Sequence, residues 1–581
     1  MIYLKQLILD HKWALILAII TAIIIAGPQA YFRLAHEDGI SSQAVELIPD
    51  SPWTPRVTEV MDGYPTLGSI YYKEGKGDPY LFQPLGSMTV GYMGKIFSLD
   101  INDTLLLSRL VLPFFVVLLL YGFVYLLFRD RLIALCSAAL VTLADPILTY
   151  SGMLNFLHGI SPASFLGLAM PVNHAMIFIP LFAFLIPFWL FYTRRTWIYG
   201  VTSAFFLGLN FYTYFYSWTY LYAFGGALVL LLLVRKEWRE VVAMGSVFFG
   251  GLLVAIPYGL NLYAASHYPS YTEVAMRFGV VASHAPLFIG FAALIALSAF
   301  WLWFPREDTK RYVFGFALLL APILTMNQQI ITGKIMQEAH YHWYFHKPMA
   351  VIFMTFLVFY LLGRVGFGAY KKIVAGFILA TSIFAGTFTQ AASYLNDPTY
   401  GENASIARQR YAPALEWLNT HAAKEEIVLA TDQMSHLTVI YTPLNVFYHR
   451  AAYATLAATR GRLLDAIFTF YRFRGVAAND ARKVFYDERK FISWNIYGIY
   501  YRQILGSYEA IPDEKIEEIL GEYLTSLKIP SDLWIKEKLQ QYDVQYVVWD
   551  KRRDPDWQVG KYSFLKEAAA FDGLIIYRFV P

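Results

Sequence analysis

The sequence predicts a polytopic α-helical membrane protein of about eleven spans, followed by a soluble α/β domain. Three observations carry this. The first is how charge is distributed. Only 15% of the 581 residues are charged and 57% are hydrophobic. Between 392 and 581 stand 23 Lys/Arg and 24 Asp/Glu, roughly the 25% of an ordinary soluble domain. The first 391 residues hold the remainder, roughly 11%, too little to coat a water-facing surface. The expected domains are therefore a transmembrane domain over 1–391 and an extracytoplasmic α/β domain over 392–581.

The second observation is the series of apolar runs. Trp13–Gly27 follows Lys5 and Lys12 without a small-x-small cleavage site, so it reads as an uncleaved first span. Ten more follow: Leu105–Phe128, Leu132–Thr149, His174–Tyr192, Trp197–Tyr212, Phe215–Val234, Val241–Tyr263, Pro286–Phe304, Tyr312–Met326, Met349–Leu362 and Ile373–Thr389. The third is that alternate connections are basic: Arg129/Arg131, Arg194/Arg195, Arg235/Lys236/Arg239, Arg306/Lys310/Arg311 and Arg364/Lys371/Lys372. The positive-inside rule then makes the N-terminus cytoplasmic. An odd span count puts the C-terminal domain outside, as expected of a multi-pass plasma or inner membrane protein. A net charge of +4 leaves no nucleic-acid footprint. The single Cys136 excludes an intrachain disulfide and a cysteine-based zinc site.

Acids and histidines sort to the other side. His36, His158, His174, His267, His284, His340, His342 and His346 all fall at or near outer span ends. Ionisable groups at a membrane boundary are costly unless solvated or paired, and mark functional candidates. The bland alternative is a wet polar loop layer.

The outer loop 28–104 is long but not of low complexity, and long structured loops are usually functional. It begins with His36-Glu37-Asp38-Gly39. Adjacent carboxylates at a rim can bind a divalent cation, or one can act as general base while the other tunes it. Glu59 and Asp62 share a helical face and read as a solvated pair. Gln83-Pro84-Leu85-Gly86 leads into Ser87–Leu99, a short glycine-interrupted stretch expected to lie on the membrane. The other dense polar stretch runs from Asn327 to Pro348. Its amides Asn327, Gln328 and Gln337 suit sugar hydroxyls. Lys334, Lys347, His340 and His342 suit a phosphate, with Glu338 between them. His340-x-His342-x3-His346 also has spacing for a metal, and an aromatic-basic interfacial belt is the plain alternative. Arg277 and His284, in the loop 266–285, are lesser binding candidates. Asp145, before Pro146, is either a second acid or a cap.

This architecture resembles the GT-C superfamily of multispan membrane glycosyltransferases, which take sugars from polyprenyl-phosphate carriers. The likeness rests on the long first outer loop with acids just past the first span, the interfacial helix, the many spans and the outer C-terminal domain. Glu37-Asp38 stands where such enzymes carry the acid that deprotonates the acceptor, and Gln83-Pro84-Leu85 is similar to their Pro-Pro-Leu element. The His-Pro-Pro of that branch is absent, and Gly39 follows the acidic pair. The resemblance implies inverting transfer to a glycan, lipid or protein acceptor. Glu37 and Asp38 would be catalytic, a divalent cation the one cofactor to consider, and His36 and Gln83 part of the substrate site. A transporter or flippase of lipid-linked saccharides would show repeats and midplane charges, neither of which stands out. A non-catalytic factor in envelope polysaccharide assembly is the third reading.

Overall fold

The computed structural model describes residues 9–36, 40–45, 47–48, 53–287, 291–337, 339–498 and 511–581. Every apolar run becomes helix. The principal helices of the first 396 residues are, in chain order, α1 (Lys12–Ala35), α2 (Thr54–Met61), α3 (Leu85–Phe97), α4 (Ile101–Phe128), α5 (Arg131–Leu143), α6 (Met176–Arg194), α7 (Trp197–Leu209), α8 (Phe215–Val234), α9 (Trp238–Val254), α10 (Ile256–Ser266), α11 (Phe291–Trp303), α12 (Thr309–Met326), α13 (Lys347–Arg364) and α14 (Lys371–Asn396), with shorter helices at Tyr150–Leu157 and Tyr271–Arg277. Among the described residues seven helical segments are long and apolar enough to cross a membrane, and α9 with α10 makes an eighth if that pair, bent by 53°, is one span. The other three runs give α5, α7 and α11, of 13 residues each. At 1.5 Å per residue these are about 20 Å long, short of a hydrocarbon core of about 30 Å.

The breaks have local causes. Asp145-Pro146 opens a 3₁₀ turn directly after α5, where proline suits a helix start but not its interior. Between α9 and α10 the Tyr212 hydroxyl enters the helical ladder. It donates to the Val254 carbonyl at 3.0 Å and accepts from the Tyr258 amide at 3.2 Å, replacing the direct bond between those two groups. Insertion of a polar group into the ladder bends a helix. Pro28 inside α1 lacks an N–H, and the amide of Gln390 donates to the nearby Ile25 carbonyl at 3.2 Å.

Connections at the two ends of the bundle differ in kind. One end carries ion pairs of the short basic connections: Arg131–Asp10, Arg195–Glu240, Arg235–Glu237 and Arg311–Asp308. The other end, called the loop rim below, carries the first loop, the loops 266–285 and 327–346, and the C-terminal domain. There β1 (Val281–Ala282) pairs antiparallel with β2 (Lys334–Ile335), joining two loops. The stretch expected to lie on the membrane forms helix α3, with Ile96 and Phe97 exposed.

The C-terminal α/β domain holds a five-stranded sheet in the order β4-β3-β5-β7-β6. Its strands are β3 (Ile427–Leu429), β4 (Asn445–Val446), β5 (Val544–Asp550), β6 (Leu565–Phe571) and β7 (Leu574–Phe579). β3 runs parallel to β4 and β5; β7 is antiparallel to β5 and β6. The first loop docks on this domain. The Thr58 hydroxyl donates to the Ile440 carbonyl, the Val446 amide to the Tyr71 carbonyl, and Lys424 to the Asp62 carbonyl. The Arg462 guanidinium lies over the rings of Tyr72, Phe447 and Tyr542 at 4.4, 4.6 and 4.0 Å and pairs with Glu74.

Candidate active site at the loop rim

Glu37 and Asp38 lie outside the described residues, as does Glu338. Just before the acidic pair, His36 ends α1, and its Nε2 meets Glu402 Oε1 at 2.8 Å. Two turns earlier, the Gln29 amide oxygen accepts from Arg109, whose Nε donates to the Ala169 carbonyl at 2.9 Å. Arg109 is buried within α4, where an ionisable group marks a functional or structural junction. Its bonds tie the end of the first span to the chain leading into α6.

That chain forms one π-turn, Pro171–Ala175, and a second, His342–His346, precedes α13. The two face each other. Asn173 Nδ2 donates to the Tyr344 hydroxyl at 2.9 Å, and the His174 ring lies 4.8 Å from the Tyr344 ring. Single π-turns are rare and often stand at functional sites. Around them the Tyr214 hydroxyl bonds His340 Nδ1, and the rings of Tyr216 and Trp343 lie 4.8 and 5.5 Å from His340. His342 and His346 meet through their Nδ1 atoms at 3.1 Å. At the start of α13 Lys347 Nζ binds Asp145 twice, the carboxylate at 2.9 Å and the carbonyl at 2.5 Å. The lysine is 12% exposed and the aspartate 45%. The arrangement offers a cation, a carboxylate that an incoming anion could displace from it, and aromatic surface with hydroxyls and imidazoles beside it.

The remaining sequence candidates take other positions. Lys334 is exposed on β2. Gln337 donates to the Phe278 carbonyl at 3.0 Å. Gln328 bonds the Lys334 carbonyl and the Thr332 hydroxyl, and Asn327 Oδ1 accepts from the Leu287 amide. His284 Nδ1 lies 3.2 Å from the Ile330 carbonyl. Arg277 is buried as a strut to the C-terminal domain, donating to the Ala458 and Ile496 carbonyls and pairing with Glu273. Gln83 is buried; its carbonyl accepts from Arg56, whose guanidinium lies beside the Trp53 and Phe82 rings. Among the described residues no three His, Cys, Asp or Glu side chains stand close enough to hold a metal ion.

The pair Glu59 and Asp62 is not the solvated face its spacing suggests. Helix α2 is packed beneath the C-terminal domain, and Glu59 is 6% exposed, with both carboxylate oxygens on Lys76 at 2.6 and 2.7 Å. Burial pushes the Glu59 carboxyl up to about 7 and that of Asp62 up to about 6. Residues that the sequence pattern did not single out include Asn173, Arg109 and Tyr344. A polar Asn-His pair after Pro171, just before an apolar run, was the available signal for the first.

No family model matches the chain, and no curated protein matches it. Solved structures do. ArnT from Cupriavidus metallidurans bound to undecaprenyl phosphate is 11% identical, over 99% of this chain and 98% of that one, with a TM-score of 0.45. The Archaeoglobus fulgidus oligosaccharyltransferase AglB in complex with an inhibitory peptide and a dolichol-phosphate is 11% identical, over 93% and 70%, with a TM-score of 0.44. An Archaeoglobus fulgidus oligosaccharyltransferase in complex with Zn and sulfate is 13% identical, over 97% of this chain and 74% of that one, with a TM-score of 0.43. At this level of superposition no residue role carries over.

Proposed function

We propose that the protein is a membrane glycosyltransferase that moves a sugar from a polyprenyl-phosphate carrier to an acceptor at the loop rim. The observation that carries this reading is the convergence of Lys347, Asp145, His340 and Tyr214 on two facing π-turns, at the rim that also bears the first loop. A transferase of this type needs a cation where the phosphate leaves, a base where the acceptor attacks, and polar and aromatic surface for the sugar. Lys347 stabilises the leaving polyprenyl phosphate, exchanging Asp145 for a phosphate oxygen as negative charge develops. Glu37 takes the acceptor's proton, and Asp38 orients it or holds a divalent cation. Acceptor oxygen then bonds the anomeric carbon as the carbon–phosphate-oxygen bond breaks, which inverts the sugar. His340 and His342 line the donor side. The rim faces away from the cytoplasm, with the N-terminus inside.

Purified protein in liposomes, supplied with polyprenyl-phosphate sugars and candidate acceptors, tests the reading. Transfer by the wild-type protein, lost in Glu37→Gln/Asp38→Asn, supports it. Full activity in that double variant removes the base assignment, and no transfer from any carrier removes the function.

A further inference from the structure

We infer that Arg56 and the first turns of α2 and α3 form an anion site that takes a phosphate group carried by the acceptor. The site itself follows from the electrostatics of the first loop. Its assignment to the acceptor rests on the glycosyltransferase reading above.

Arg56 stands in the first turn of α2 and is 3% exposed. Its partners are neutral oxygens. Nη2 donates to the Phe82 and Gln83 carbonyls at 3.0 and 3.2 Å, and Nε to the Ser87 hydroxyl at 3.3 Å. Among the described residues no carboxylate pairs with it. Glu59, one turn further along α2, has both oxygens on Lys76. Burial lowers the Arg56 pKa to about 10, which still leaves the group charged at neutral pH. A buried charge without a counter-ion is costly. The buried cations Arg462, Arg277 and Lys347 each have a carboxylate partner.

The two helices add to the positive charge. A helix N-terminus carries roughly half an elementary positive charge. Helical side chains tilt toward the N-terminus, so the guanidinium lies at that end of α2. The oxygens it holds mark the start of α3: Phe82 and Gln83 just precede the helix, and Ser87 is in its first turn. Neither helix has a side-chain cap or an acid in its first turn. Arg472 shows the reverse arrangement. It is as buried and also bonds neutral oxygens, but one of them is the Ser526 carbonyl that ends helix Asp513–Ser526, the negative end. At Arg56 two helix N-termini and a guanidinium meet with no negative charge between them, an arrangement suited to phosphate. Its Nη1 makes no hydrogen bond among the described residues and, unlike Nη1 and Nη2 of Arg462, is not closed off from solvent. An incoming oxyanion therefore has a donor to meet.

Position selects the substrate. The first turn of α3 lies against the π-turn Pro171–Ala175, since a Cβ built on Gly86 would stand 2.7 Å from the Val172 carbonyl oxygen. The anion site therefore borders the π-turns. Arg56 and Lys347 share no partner. The leaving phosphate is matched to Lys347, so a second phosphate belongs to the other substrate.

The test uses the full chain carrying Lys347→Ala, in detergent, so that phosphate at Lys347 does not contribute. Inorganic phosphate is titrated at constant ionic strength and its binding read by calorimetry. One phosphate per chain is expected. Adding Arg56→Gln should weaken binding roughly thirtyfold, the lower scale for truncating one side of a buried charge pair. Ser87→Asp, which supplies a carboxylate in place of the anion, should weaken it as much, and Ser87→Ala should not. Melting curves in phosphate-free buffer check that each variant is folded. Absence of binding in Lys347→Ala, or binding untouched by Arg56→Gln and Ser87→Asp, overturns the site and leaves the role of Lys347 standing. A preference of roughly tenfold for farnesyl over dodecyl phosphate would make Arg56 part of the carrier site and overturn the acceptor assignment.

Discussion

The two ends of the bundle handle charge differently. At the end with short basic connections, pairs such as Arg131–Asp10 and Arg235–Glu237 are partly exposed on both sides. Exposed pairs of this kind contribute about 0–1 kcal/mol. At the loop rim, Lys347, Glu59, Lys76 and Arg462 are each mostly buried, and each has a specific partner. Removing one member of a buried pair leaves an uncompensated charge. The contrast shows where the molecule has committed charge to a task.

Substitutions can break or sharpen that contrast. The largest effect is expected at the π-turns. Lys347→Ala should lower transfer by about 10²–10³-fold, the scale of removing a group that stabilises developing charge; the Asp145 carboxylate it leaves behind is 45% exposed and stays solvated, so thermal stability should fall only slightly. An unchanged rate would place the leaving group elsewhere. Next comes Arg462→Ala, which strips the link between the first loop and the C-terminal domain. It should cost about 2 kcal/mol, the scale of a desolvated cation–π contact, because Glu74 is 42% exposed and stays solvated, and is read as a lower melting temperature. A melting curve identical to wild type would show that the rings pack as well without it.

Glu59 gives a pH effect of intermediate size. Its carboxyl is raised to about 7 by burial, above its ordinary value, so the folded protein binds a proton that the unfolded chain has released. Stability should therefore fall as pH rises from about 4.5 to 7 and level off above that. Glu59→Gln should remove that part of the slope in denaturant titrations at pH 5 and pH 8; a slope unchanged by the substitution would refute the assignment. The smallest effect is expected at the other end: Arg235→Gln should change stability by less than about 1 kcal/mol. Sidedness can be read with introduced cysteines, because Cys136 is buried. Cysteines at Lys334 and Asp572 should react with an impermeant thiol reagent added outside intact cells, and one at Arg235 should not.

Much of the helical layout was legible. Each apolar run became a helix because hydrocarbon-facing segments must satisfy their backbone internally. Span lengths were less legible, since Tyr212 bends α9 away from α10 from a distant position in the chain. The site was legible in part. Lys347, His340 and Tyr344 stood in a conspicuous polar string, but their partners Asp145, Tyr214 and Asn173 come from three other connections. Glu59 was misread because spacing reports a shared face and says nothing of what covers it.

Composition, apolar runs and the placement of Lys and Arg determined, unaided, a membrane bundle with a water-facing α/β domain. Those features are set by the solvent each segment meets, which is a local property of the chain. Tertiary structure alone decided that the first loop lies under the C-terminal domain, that two π-turns face each other, and that Gln390 ties the last span to the first. Each depends on a hydrogen bond or ring contact between residues far apart in sequence, and such contacts leave no periodic trace in the chain.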